Sequence, residues 1–208
     1  MQSSFRLPRV YPLTDVQLTG LSHADQVRLL SLGGATLVQL REKQMPALQF
    51  YAQARAAVAA ASDLQLIIND RVDVALALGA YGVHLGQDDM PPEAARRLLG
   101  DDAVIGYSTH SVEQAKKAVT LPIDYIAIGP IFTTSSKTNP SPTLGLEGLR
   151  AVRHAVGNVQ VVAIGGISHS NAREVIAAGA DSVAVIGALL SDPAEISHAT
   201  QALISSLF

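Results

Sequence analysis

"TLVQLREKQMPALQFYAQARAAVAAASDLQLIIND", residues 36–70, decides the fold. It opens on a β-rich run, TLVQLRE. It then passes through MPALQFYAQARAAVAAA, where apolar residues recur at helical spacing, and closes on a second β-rich run, QLIIND. A strand, a helix and a strand in that order form a unit of parallel sheet.

The alternation continues in both directions. RVYPLT precedes this unit, and GVHLG, AVIGYS, DYIAIGP, VQVVAIGG and SVAVIG follow it as strand candidates. The helical patterns outside it are HADQVRLLSLGG, RVDVALALGA, PPEAARRLLG, SVEQAKKAV, LEGLRAVRHAV, SHSNAREVIAAGA and DPAEISHATQALISSL. Eight strand–helix units predict an α/β protein whose parallel sheet closes as a (βα)8 TIM barrel. No linker or composition shift marks a second domain, so residues 1–208 are expected to form one domain.

A short repeat supports this class. Gly-Ala-x-x-Val-x-Leu stands at 34–40 and 79–85, and 179–185 repeats it with Val at the last position. Each glycine is expected to leave a helix in the left-handed conformation just before the next strand. The repeat is a property of αβ loops and carries no function.

Composition narrows the function classes. With 48% hydrophobic residues, 4% aromatic residues and no Trp, the core must be built from Ala, Val, Leu and Ile. A net charge of −3 lacks the basic stripe that nucleic acid requires. Cysteine is absent, so disulfides and thiolate chemistry are excluded. The start MQSSFRLPRVYPLTD has no apolar core of a signal peptide. No apolar run approaches the ~18 residues of a membrane span. A soluble, cytoplasmic protein is expected.

In such a barrel, chemistry collects at the C-terminal ends of the strands. Read as a strand to its end, LVQLREK (37–43) puts Leu37, Gln39, Arg41 and Lys43 on one face, with Val38, Leu40 and Glu42 on the other. The first face carries two fixed cations and needs an anion. Asp70 and Asp89 follow strands 3 and 4, and would repel that anion unless a hard divalent cation lay between them. Mg²⁺ is held in this way, by one or two carboxylates plus phosphate oxygens. A second anion site, for a monophosphate, is suggested by AIGGI (163–167) and VIGAL (185–189) at the ends of strands 7 and 8. Residues 129–145, GPIFTTSSKTNPSPTLG, read as a loop of the length that forms lids.

Each signal also has a plain reading. Arg41 and Lys43 could cap the barrel through surface ion pairs, and Asp70 could cap the following helix. Asp88 suits a solvated loop, and His84 a packed, hydrogen-bonded core. His110 has a rim position but no visible partner. His23, His154, His169 and His198 are expected to face solvent.

Together QLREK, IND with VDVALALGAYGVHLGQDD, GYSTHS, AIGPIF with Lys137 beyond it, and AIGGI…AGADSVAVI resemble the thiamine-phosphate synthase family. The similarity runs in order along nearly the whole chain. It implies an Mg²⁺-dependent βα-barrel transferase. Such an enzyme joins hydroxymethylpyrimidine diphosphate to hydroxyethylthiazole phosphate, releasing pyrophosphate through a carbocation-like substitution.

The resemblance also implies residue roles. Gln39, Arg41, Lys43 and Asn69 would hold the diphosphate, with Asp70 and Asp89 on the metal. Ser108 would lie beside the reacting pyrimidine. Thr134 and Ser136 would reach the thiazole phosphate, and Lys137 the diphosphate. Gly166, Ile186 and Gly187 would complete the thiazole-phosphate site. Arg41, Lys43, Ser108 and Lys137 are the candidate catalytic set. Two positions depart from the family pattern: Ala184 where the family often has Ser, and Ser136 where it commonly has Thr.

The implied partners are the two small-molecule substrates, without nucleic acid or membrane and with a homo-oligomer allowed. Two alternatives stay open. A sister family of thiazole tautomerases would use His110 for proton transfer. A non-catalytic sensor would bind thiamine phosphates at the same rim.

Overall fold

The computed structural model describes residues 5–61, 63–134 and 142–208. Eight strands, β1 (Val10–Pro12), β2 (Leu37–Leu40), β3 (Gln65–Asn69), β4 (Gly82–Leu85), β5 (Val104–Thr109), β6 (Tyr125–Ile128), β7 (Gln160–Ile164) and β8 (Ser182–Val185), form one parallel sheet. Its order runs β1-β8-β7-β6-β5-β4-β3-β2. A parallel bridge between Leu13 and Gln39 joins the two ends, with Thr14 N–H donating to Gln39 C=O at 2.9 Å. The expected (βα)8 TIM barrel is therefore observed.

The helices are α1 (Val16–Thr19), α2 (His23–Leu32), α3 (Ala47–Ala60), α4 (Val72–Leu78), α5 (Pro92–Leu99), α6 (Val112–Ala118), α7 (Gly145–Val156), α8 (Ala172–Ala177), α9 (Gly187–Leu190) and α10 (Ile196–Ser206). Eight correspond to the patterned segments. The four-residue α1 and α9 are additions, too short for hydrophobic periodicity to reveal. Both lie at the strand ends that carry the candidate site.

Most strands are buried on both faces, the outer one under helices, which accounts for their nearly unbroken apolar sequences. Gly34, Gly79 and Gly179 all have positive φ, as the repeat predicts. At the N-terminal ends of the strands, charge serves structure. Asp124 pairs with Arg96 at 2.8 Å and accepts Ile105 N–H, and Asp181 pairs with Arg153 at 2.9 Å and accepts Val161 N–H. Among the described residues no helix is long and apolar enough to cross a membrane.

Candidate active site

The strand that carries Gln39 ends sooner than its sequence suggests. Arg41 N–H turns to the Thr14 hydroxyl at 3.2 Å, and the β2 ladder stops at Leu40. Arg41 and Lys43 therefore do not extend a strand face shared with Leu37 and Gln39. They project from the β2–α3 turn, which Glu42 organises. One Glu42 oxygen accepts the backbone N–H groups of Lys43, Gln44 and Met45 at 2.8, 2.7 and 3.1 Å. Burial alone would raise the Glu42 pKa, but these three donors and His23 hold it below the usual carboxylate range.

His23 is a further correction. It is fully buried rather than solvent-facing, with Nδ1 2.7 Å from the Thr14 hydroxyl and Nε2 3.8 Å from Glu42. Burial, the dominant influence, lowers its pKa despite the neighbouring carboxylates. Its place at the first turn of α2 concealed this, because helical periodicity does not register a side chain that packs under a neighbouring loop.

A cavity of about 1000 Å³ opens at the C-terminal ends of the strands. Gln39, Arg41, Lys43 and Asn69 line one part of it, with Asp70, Asp89 and Ser108 beside them. Thr134, Gly166, Ile186 and Gly187 line another part. Every expected site residue within the described residues thus faces one cavity. Ser136 and Lys137 lie outside the described residues.

The charged groups are paired within this mouth. Arg41 Nη1 lies 3.2 Å from Asp15, a carboxylate that also caps α1 by accepting Leu18 N–H. Lys43 Nζ lies 2.5 Å from Asp70. Burial raises the Asp70 pKa, Lys43 opposes the rise, and neighbouring Asp89 adds to it. Asp70 does not cap α4, whose capping position is Arg71. It adopts φ 61°, a left-handed conformation uncommon outside glycine. Asp89 Oδ2 accepts Gly86 N–H at 2.6 Å, and Asp88 is exposed as expected. Asn69 is 5% exposed and its Nδ2 has no hydrogen-bond partner in the described structure.

Two adjacent carboxylates, one made reluctant to ionise by burial and by the other, fit a hard cation that takes its remaining ligands from substrate and water. Among the described residues no cluster of three or more His, Cys, Asp or Glu forms a complete protein cage.

The other half of the cavity is more backbone than side chain. Gly165 and Gly166 have φ of 102° and 65°. A Cβ on Gly166 would sit 2.5 Å from Thr133 C=O, and one on Gly165 would sit 2.6 Å from Pro130 Cβ. The 130–133 segment packed on β7 thus accounts for both glycines. Ala184 lines the cavity; Ser182 shares its face one layer deeper, buried and with no partner for its hydroxyl in the described structure. His110 does have a partner: Nδ1 donates to Gly129 C=O at 2.7 Å. A capping arrangement steadies it, as Gln114 accepts His110 N–H while Ser111 accepts Gln114 N–H.

The barrel interior below the cavity holds polar groups that the sequence did not announce as a set. Gln39 Nε2 lies 3.1 Å from Tyr11 Oη, and Tyr11 Oη lies 3.0 Å from Tyr125 Oη. His84 Nδ1 lies 3.0 Å from Tyr125 Oη, and His84 Nε2 lies 2.9 Å from Ser108 Oγ. Gly106 stands between His84 and Tyr125 in the sheet register. A Cβ there would come within 2.1 Å of Tyr125 Cζ and 2.5 Å of His84 Nδ1. A glycine inside a strand is the one sequence signal of such a close approach.

The chain's likeness to other proteins agrees with this geometry. A family profile described as thiamine monophosphate synthase matches residues 10–189. A thiamine-phosphate synthase of Koribacter versatilis is 47% identical over 201 residues, covering 93% of this chain and 94% of its own. Another, from Albidiferax ferrireducens, is 51% identical over 184 residues, covering 87% of this chain and 84% of its own. The solved thiamine phosphate pyrophosphorylase from Pyrococcus furiosus superposes with a TM-score of 0.85 at 37% identity, covering 96% of this chain and 95% of that one. Likeness at this level from β1 to α9 amounts to membership: the chain belongs to the thiamine monophosphate synthase family of transferases.

Proposed function

We propose that the protein is a thiamine-phosphate synthase that joins hydroxymethylpyrimidine diphosphate to hydroxyethylthiazole phosphate, releasing pyrophosphate. The observation that carries this reading is the shared cavity, in which Arg41, Lys43, Asp70 and Asp89 surround one open volume. Cations and carboxylates together suit a diphosphate accompanied by a metal better than either set alone.

In this reading Asp70 and Asp89 hold Mg²⁺, which when bound supplies neutralising charge to the diphosphate oxygens. Arg41 presents a planar fork and Lys43 a compact ammonium to the same group. Asn69 Nδ2, buried without a partner in the described structure, offers it a further donor. These fixed groups stabilise the charge that grows on pyrophosphate as the carbon–oxygen bond lengthens. The aminopyrimidine spreads the positive charge left behind, and Ser108, which lines the cavity, would lie beside it. The thiazole nitrogen then captures the cationic carbon. Gly166, Ile186, Gly187 and Thr134 would hold the thiazole phosphate, together with Ser136; Lys137 would join the diphosphate set. No general base or covalent nucleophile is needed. A cytoplasmic setting accords with such small, soluble substrates.

The test is pyrophosphate release from the two substrates with and without Mg²⁺. Release that needs both substrates and the metal supports the reading, and none at any metal concentration rejects it. His110, anchored through Nδ1 at the cavity wall, favours thiazole tautomerisation as a second reading. That reading leaves the Lys43–Asp70–Asp89 group without a task, and isomerisation of the thiazole phosphate alone would support it.

A further inference from the structure

The chain of polar groups under the cavity has a direction. Gln39 Nε2 can only donate, so Tyr11 Oη accepts from it at 3.1 Å. The Tyr11 hydroxyl hydrogen then goes to its other neighbour, Tyr125 Oη, at 3.0 Å. Tyr125, having accepted, passes its own hydrogen to His84 Nδ1. Nδ1, accepting from Tyr125, leaves the hydrogen of the neutral ring on Nε2. Nε2–H donates to Ser108 Oγ at 2.9 Å. Burial keeps both tyrosines protonated.

Gln39 and Ser108, the two ends of this chain, line the cavity; Tyr11 and His84 also reach its floor, and Tyr125 does not. With Nε2 anchored on Tyr11 through one of its two hydrogens, the Gln39 amide is held in place and has its Oε1, an acceptor, available. With Oγ already accepting from His84, Ser108 offers its hydroxyl hydrogen, a donor. The arrangement is built into the strands, since the absent side chain of Gly106 provides the space in which His84 and Tyr125 meet. Their rings stack with centroids 5.5 Å apart.

We propose that Tyr11, Tyr125 and His84 are positioning residues, a one-way hydrogen-bond chain that presents Gln39 as acceptor and Ser108 as donor to a planar heteroaromatic ligand. A ring that offers an exocyclic amino donor and a ring-nitrogen acceptor matches that polarity. Its 4-oxo counterpart, which reverses both groups, meets donor with donor and acceptor with acceptor. Tyr125, which is not among the cavity-lining residues, acts only through its neighbours. The inference rests on the synthase reading for its substrate but not for its internal polarity.

The first experiment is ¹⁵N NMR of the histidine-labelled wild-type protein near pH 7, with the His84 ring assigned by its loss in His84→Asn. A proton on Nε2 and a bare Nδ1 are expected. The opposite tautomer would mean that the chain runs the other way, and would overturn the proposal. The second measurement compares Tyr125→Phe with wild type on the 4-amino and 4-oxo pyrimidine diphosphates. Losing the central link is expected to reduce the preference for the amino substrate about tenfold, with KM for the thiazole phosphate unchanged. An unaltered preference in folded Tyr125→Phe also sinks it. If that variant does not fold, the tautomer decides. Absence of wild-type turnover would reject the synthase reading while the tautomer still reports on the chain; turnover with Nδ1 protonated would reject the chain alone.

Discussion

The Lys43 ammonium lies 2.5 Å from an Asp70 carboxylate whose other charged neighbour is Asp89. One side chain thus serves as internal counter-ion where two negative charges meet. Lys43 is half exposed, so the pair adds little to stability. Lys43→Ala is expected to lower kcat about 10²-fold or more while Tm moves by no more than a few degrees. Steady-state kinetics beside thermal melting checks both.

Arg41 is held by Asp15 at 3.2 Å, clear of the strand register. Arg41→Lys keeps the charge but loses the planar fork. It is expected to recover only part of the roughly 10²-fold loss in kcat/KM caused by Arg41→Ala. Full recovery in the lysine variant would show that charge alone suffices.

Chelation separates metal from fold. The two carboxylates do not form a complete cage, so EDTA is expected to abolish pyrophosphate release and leave the melting temperature of the substrate-free protein unchanged. Excess Mg²⁺ should restore activity, as a coupled pyrophosphate assay would report.

Acid should act through His84. Its folded pKa, about 4, lies below the ordinary 6.5, so its neutral form stabilises the fold above pH 6.5. That contribution is lost as the pH falls through about 4, and amounts to about 3 kcal/mol. Urea melts between pH 7 and pH 4 are expected to show wild type losing more stability than His84→Asn.

Gly166→Ala places a methyl group where Thr133 C=O already stands, at a φ of 65°. It is expected to cost about 1–3 kcal/mol and to weaken thiazole-phosphate binding by displacing the 130–133 segment. Calorimetry and KM for that substrate test the two parts separately.

The barrel was legible because helices and strands alternate at two clearly different periods, and the three Gly-Ala turns mark where strands begin. The rim was legible through segments such as IND and GQDD, whose polar residues follow apolar runs. What escaped was either short or distant. α1 and α9 span about one turn each, and Thr14, rather than any break in the pattern, ends β2 before Arg41. Tyr11 and Tyr125 stand 114 positions apart. Alternation says only that each points inward, not that their hydroxyls meet.

Asp70 occupies a backbone conformation that glycine or asparagine would accept more comfortably. Relaxing that corner would give a hardier chain but a poorer corner for the proposed metal, so selection for heat tolerance alone would pull this position away from aspartate. A population of thermally evolved variants without any demand for thiamine synthesis should drift there first.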